Sequence, residues 1–138
     1  MATSKLTGQQ AYANMKHLQD NHVSGVQGLC QKTCHEAWGL PATAPDAISA
    51  WNAVPKAARH TDWTKAPIGA PHFWSGGLHG HVALQSDRKG YVISTDAPVT
   101  NYVGTVVLNW FHEHWGKVYL GWASNYDGFD LQLGAMPS

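Results

Sequence analysis

Cys30 and Cys34 are the two cysteines of this 138-residue chain, one helical turn apart. Cys30 follows Gly28-Leu29 and stands where a helix is expected to begin. A helix start presents unpaired N–H groups and a partial positive charge, and both favour a thiolate, the nucleophilic form of cysteine. Cys34, a turn further in, lacks that advantage and reads as a core residue. A cysteine nucleophile needs a base, and His81 is the candidate. It follows Gly80 and opens the apolar run Val82-Ala83-Leu84, so its imidazole can project from a strand towards a facing helix start. In Cys–His chemistry the base takes the thiol proton, the thiolate attacks a carbonyl, and the imidazolium protonates the leaving amine. Such partners meet in the fold and need not be neighbours in sequence.

A third group must orient the base. If residues 91–95 pair as a hairpin with residues 81–85, the segment Ser94-Thr95-Asp96 returns to His81. Asp96 can then accept a hydrogen bond from the second ring nitrogen and fix the tautomer. The competing readings are an Asp that closes a turn before Pro98, and Ser94 as the orienter. For the oxyanion, the main-chain N–H of Cys30 is the natural first donor, with the preceding loop or the Gln27 side chain as a second. Among seven tryptophans, most read as packing, while Trp63 and Trp74 lie on the approach to His81 and are candidates to line a substrate cleft.

Metal chemistry is the rival use of the nine histidines. His79 and His81 share a strand face, and His112 and His114 flank Glu113. On a helix, however, two residues two apart diverge by about 200°. No His-Glu-x-x-His spacing exists, and Cys30, Cys34 and His35 do not make a C-x-x-C pattern. Asp127-Gly128-Phe129-Asp130 lacks the acidic ligands of a calcium loop and reads as a hairpin turn. The site is therefore expected to work with no metal and no cofactor.

Helices are expected over residues 4–20, with Leu6, Tyr12, Met15 and Leu18 on one stripe, over about 29–38, and over 46–53. Gly8 weakens the first of these. Strands are expected at 72–74, 81–85, 91–95, 103–108, 118–123 and 129–133, with a helical turn at 110–115 and a turn at 125–128. Helices first and an antiparallel sheet afterwards make an α+β chain. At this length one core is expected to bury roughly two-thirds of the unfolded surface, so residues 1–138 read as a single domain.

Nine Lys+Arg balance nine Asp+Glu. A net charge of zero argues against binding nucleic acid or an anionic membrane through a basic surface. No run approaches the roughly 20 apolar residues of a membrane span. The first ten residues lack the apolar region of a secretory signal, so synthesis in the cytoplasm, with reduced cysteines, is expected.

The ordered segments Gly28-Leu29-Cys30, Ala37-Trp38-Gly39-Leu40-Pro41-Ala42, Ala50-Trp51-Asn52, Gly69-Ala70-Pro71-His72-Phe73-Trp74, Gly80-His81-Val82-Ala83-Leu84, Ser94-Thr95-Asp96 and Tyr119-Leu120-Gly121-Trp122 carry a resemblance. The pattern is similar to the NlpC/P60 and CHAP superfamily of cysteine peptidases and amidases, particularly the catalytic domains of phage endolysins. It covers residues 22–134 and leaves residues 1–21 as an added helix. The resemblance implies a papain-like fold with the nucleophile heading a helix packed on an antiparallel sheet. It implies Cys30 as nucleophile, His81 as base, and Asp96 as the third residue, with Ser94 or Glu113 as replacements. It also implies a monomer that hydrolyses peptidoglycan without a cofactor, acting on the cell wall after release or from the virion. Two alternatives are a papain-like effector with a protein substrate and a non-catalytic wall-binding module. Leu29, Gln31 and Lys32 depart from the usual neighbours of the family's cysteine, and the polar run Gln31, Lys32, His35 and Glu36 leaves the packing face of that helix open.

Overall fold

A computed structural model describes residues 2–138. Its first strand, β1 (Thr3–Thr7), occupies residues that the helical stripe had claimed, and α1 begins only at Gly8 (Gly8–Asp20). The reason is a capping box. The Thr7 side chain accepts the Gln10 N–H while the Gln10 side chain accepts the Thr7 N–H, which ends the strand and starts the helix at one residue. Gly8 is a close-packing residue, because a Cβ there would stand 2.0 Å from the carbonyl oxygen of Ile68. Its lack of a side chain lets the start of α1 sit directly on the turn at Ile68 and Gly69.

Helices α2 (Cys30–Ala37) and α3 (Ala47–Ala53) follow, α3 capped by Asp46, whose side chain accepts the Ser49 N–H. The polar run in α2 splits: Lys32 and Glu36 pair on the exposed face, while Gln31 and His35 turn inward. Cys34 and Ala37 enter the apolar core, and Gln31 and His35 are also enclosed. They are enclosed because they are partnered: Gln31 accepts from the Tyr126 hydroxyl at 2.6 Å and donates to Asp127, and His35 Nδ1 bonds the Leu40 carbonyl at 3.0 Å.

The larger sheet contains β2 (Arg59–His60), β3 (Pro71–Ser75), β4 (His81–Gln85), β5 (Tyr91–Thr95), β6 (Val103–Val107) and β7 (Val118–Ala123). Its six strands run antiparallel in the order β2-β7-β3-β4-β5-β6. A short helix, α4 (Trp110–Trp115), joins β6 to β7. The turn expected at 125–128 is tighter than anticipated. Asn125–Tyr126 is strand β8, and Asp127 and Gly128, both with positive φ, turn it into β9 (Phe129–Gln132). β9 then pairs in parallel with β1, so the N-terminal segment is knitted into a small mixed sheet β1-β9-β8.

Side-chain alternation divides the large sheet into two faces. Phe73, Val82, Leu84 and Ile93 pack under the helices with Met15, Cys34, Trp38 and Tyr126. Trp74, Ala83 and Val92 pack on the other side with Phe111 of α4. The chain is thus an α+β protein with N-terminal helices on one face of an antiparallel sheet. No helix among the described residues is long and apolar enough to cross a membrane.

Candidate active site

Cys30 is the first residue of α2, and Leu29 before it supplies no side-chain cap. The thiol is half-buried and lies against the main-chain N–H groups of Val82 and Gln31. Five influences then compete with one another. Burial raises the thiol pKa, the two N–H groups and the Lys117 ammonium lower it, and the Asp96 charge raises it again. Burial wins, so Cys30 rests as a thiol, against the expectation that its helix-start position would favour the thiolate. Cys34 is fully buried and donates to the Val82 carbonyl at 3.7 Å. Both sulfurs therefore address the same residue of β4.

His81, the residue before Val82, opens β4. Its Nε2 is 2.7 Å from Ser94 Oγ. Ser94 has one hydroxyl proton and donates it to the Thr95 carbonyl at 2.8 Å, so Oγ must accept from Nε2–H. That fixes the tautomer and leaves Nδ1 as the basic nitrogen. The imidazole packs among Trp74, Phe111 and Trp115, with ring centroids 5.8, 4.4 and 5.1 Å away, on the sheet face opposite the N-terminal helices and not towards the start of α2 as its place in the sequence suggested. Burial, and then the Lys117 charge, pull its pKa down to about 3, so the ring rests neutral.

Asp96 is not the group that meets His81. Its carboxylate accepts the N–H of Gly28 at 2.8 Å and of Asn101 at 2.6 Å, while Ser94 holds the imidazole. The difference follows from where β5 ends. Residues 92 and 94 of β5 face the same side as His81, whereas Asp96 lies past the strand end with φ at 61°. Glu113 is exposed and accepts from Asn109 at 3.0 Å.

A cavity of about 150 Å³ opens in front of the thiol, lined by Leu29, Cys30, Lys32, Pro45, Asp46 and His79 among others. His79 Nδ1 is 2.8 Å from Asp46 Oδ2, and His79, not His81, is the imidazole that lines this cavity. Asp46 is held down to about 2 by hydrogen bonds from Ser49 and His79. Gln27 is exposed and fixed through its main-chain N–H, 3.3 Å from Asn101 Oδ1; it does not line this cavity. Trp63 and Trp74 do line a common cavity, of about 420 Å³, but with Val107, Leu108 and Tyr119 rather than with Cys30. Trp74 is almost wholly buried and forms its floor, whereas Trp63 is exposed. Lys117, which donates to the Gly76 carbonyl at 2.7 Å, carries no signal in the sequence as a site residue, yet it acts on both Cys30 and His81.

The histidines do not gather. Among the described residues no three His, Cys, Asp or Glu side chains converge on a point fit for a metal ion. His112 Nδ1 and His114 Nδ1 are bonded to the main-chain carbonyls of Lys117 and Trp110.

One buried histidine outside the site behaves as His81 does. His72 lies between the Tyr119 hydroxyl, 2.7 Å from Nδ1, and Gln85 Oε1, 2.8 Å from Nε2. Burial pulls its pKa down to about 4. An unfolded histidine titrates near 6.5, so below about that pH the unfolded chain binds more protons and stability falls. The contribution is present above the unfolded value and is lost as pH drops towards the folded values of about 4 and 3. Between about pH 7 and pH 5 the two rings together are expected to remove roughly 4 kcal/mol of unfolding free energy. Urea melts across that range measure it, and His72→Gln is expected to remove about half of the loss. Stability that stays flat would mean that neither ring is held neutral.

No protein-family model, curated protein or solved structure matches the chain.

Proposed function

We propose that this chain is a cysteine hydrolase of peptidoglycan. It cleaves an amide bond in the stem peptide, or at its junction with the glycan, through a thioester on Cys30. The observation that carries the reading is the junction of α2 and β4. A cysteine at an uncapped helix start rests on the residue next to a histidine whose tautomer is set by Ser94. In this reading the fold is papain-like, of the type that the NlpC/P60 and CHAP resemblance implies, with Ser94 in place of Asp96 as the third residue.

The chemistry follows from resting states that are both neutral. As substrate enters the cavity, His81 Nδ1 removes the Cys30 proton while sulfur bonds to the carbonyl carbon. Cys30 heads α2 on one face of the sheet and the His81 ring packs on the other, so in this reading thiol and imidazole have to meet around the start of β4 in the substrate complex. The main-chain N–H of Cys30 donates to the oxyanion, with the uncapped first turn of α2 beside it. Collapse breaks the C–N bond, and the imidazolium returns its proton to the leaving amine. Water, deprotonated by the same nitrogen, then cleaves the thioester and regenerates the thiol. Ser94 accepts from Nε2–H throughout and holds the ring plane. No cofactor enters these steps.

The test is direct. Incubation with purified cell walls is expected to release muropeptides that carry a new amine and a new carboxylate, identified by mass spectrometry. Iodoacetamide is expected to stop the release and chelators to leave it unchanged. Binding to walls with no bond cut would replace this reading with a wall-binding module.

A further inference from the structure

Asp96, freed from the role of orienting His81, is tied to the nucleophile from another direction. The connection between β5 and β6 carries two residues in the left-handed region, Asp96 at φ 61° and Asn101 at φ 75°. Asp and Asn tolerate that region because their short side chains bond to nearby main chain. Here they do so twice over. Within the connection, Asp96 N–H donates to the Tyr102 carbonyl at 2.8 Å and Asp96 Oδ1 accepts the Asn101 N–H at 2.6 Å. Across to the loop before α2, Asp96 Oδ2 accepts the Gly28 N–H at 2.8 Å. Asn101 Oδ1 accepts the N–H of Gly25 at 2.9 Å and of Gln27 at 3.3 Å.

The loop has little else to hold it. Val26 is buried, but Gly25 and Gly28 face open space, where a Cβ would meet nothing within 4 Å. Leu29 then begins α2 with no side-chain cap. A negative charge near Cys30 is also unfavourable to a thiolate, and Asp96 does oppose that form of Cys30. Its presence makes sense as geometry and not as electrostatics.

We propose that Asp96 and Asn101 are positioning residues that set the place of the Cys30 thiol and amide by clamping the loop from which α2 starts. This rests on Cys30 being the nucleophile, and it assigns the two residues no contact with substrate.

The experiment uses the whole chain with Asp96→Gly, Asn101→Gly and Asp96→Asn. Glycine keeps positive φ available, so loss in those variants reports the side chain and not backbone strain. Three readouts are taken: wall hydrolysis, iodoacetamide alkylation of Cys30 against pH, and amide hydrogen exchange in the loop. Both glycine variants are expected to lower kcat by roughly 10–100-fold with KM changed much less, as misplacement of a reacting group does. They are also expected to speed exchange, Asp96→Gly at Gly28 and Asn101→Gly at Gly25 and Gln27. Asp96→Asn keeps one acceptor oxygen and removes the opposing charge. With that oxygen on the Gly28 N–H its NH2 faces the Asn101 N–H, so it is expected to recover part of the kcat and to shift the alkylation profile to lower pH. Asp96→Asn as damaging as Asp96→Gly would overturn the proposal, as would unchanged exchange in the glycine variants. A shift in the acid limb of the activity profile would return Asp96 to the service of His81. If the wild-type chain cuts no cell-wall bond, the substrate reading fails while exchange and alkylation still decide the clamp.

Discussion

Cys30→Ala is expected to reduce wall hydrolysis by at least about a thousandfold, to background, because no other group can form the thioester. Cys34→Ala is expected to stay within about fivefold of wild-type turnover and to lose about 1–2 kcal/mol of stability, since it removes a buried sulfur from the core. The contrast is sharp because the two sulfurs address opposite ends of one residue, Cys30 at the Val82 N–H and Cys34 at the Val82 carbonyl. Alkylation gives the same answer without substrate. The Cys30 thiol is raised by burial, so its reaction with iodoacetamide should climb with pH through the alkaline range. A plateau already reached near neutrality would show a pre-formed thiolate and contradict the neutral resting pair. Full activity in Cys30→Ala would remove the hydrolase reading altogether.

His81→Ala should be nearly as damaging, with kcat lowered by roughly a thousandfold or more if that ring is the sole acid and base of the site. Ser94→Ala is expected to cost about tenfold, because the tautomer is no longer fixed although the ring cluster still holds the plane. The control is His79→Ala. That imidazole lines the cavity in front of Cys30 and has a carboxylate partner in Asp46, so it has the chemistry to compete for the role. It is expected to lose less than about tenfold, through substrate contact alone. If the two effects were reversed, His79 and Asp46 would take over as base and orienter, and His81 would be a core residue.

Much of this architecture was legible because it follows short-range rules. The Gly-containing approach to Cys30, the polar turn Asp87-Arg88-Lys89-Gly90 and the strand-forming run 91–95 each announce a helix start, a hairpin or a strand without outside help. Where long-range partners decide, the sequence misleads. Leu6 fits a helical stripe, but Thr7 and Gln10 close a capping box and β9 recruits residues 3–7 as a strand. β2 is two residues long and exists only through its pairing with β7. At the site, the hairpin of β4 and β5 could be anticipated, but not which residue of Ser94-Thr95-Asp96 would face His81. Ser94 and Asp96 share a strand parity, so what separates them is the end of β5 at Thr95, which the sequence does not mark. Lys117 was invisible because its influence is exerted through space, from the start of a different strand. Trp63 and Trp74, expected along a substrate cleft, line a cavity with Val107, Leu108 and Tyr119 that does not include Cys30.

Val82 has a consequence for motion in the cleft. Its N–H meets the Cys30 thiol, its carbonyl meets the next turn of the same helix, and the residue before it is His81. One link of the sheet thus serves as a gauge block between α2 and the strand of the base, and neither can drift without breaking a contact with it. In the proposed hydrolase the freedom to admit and release a polymer then comes from the opposite jaw, the cap of α3 with Asp46 and the exposed His79.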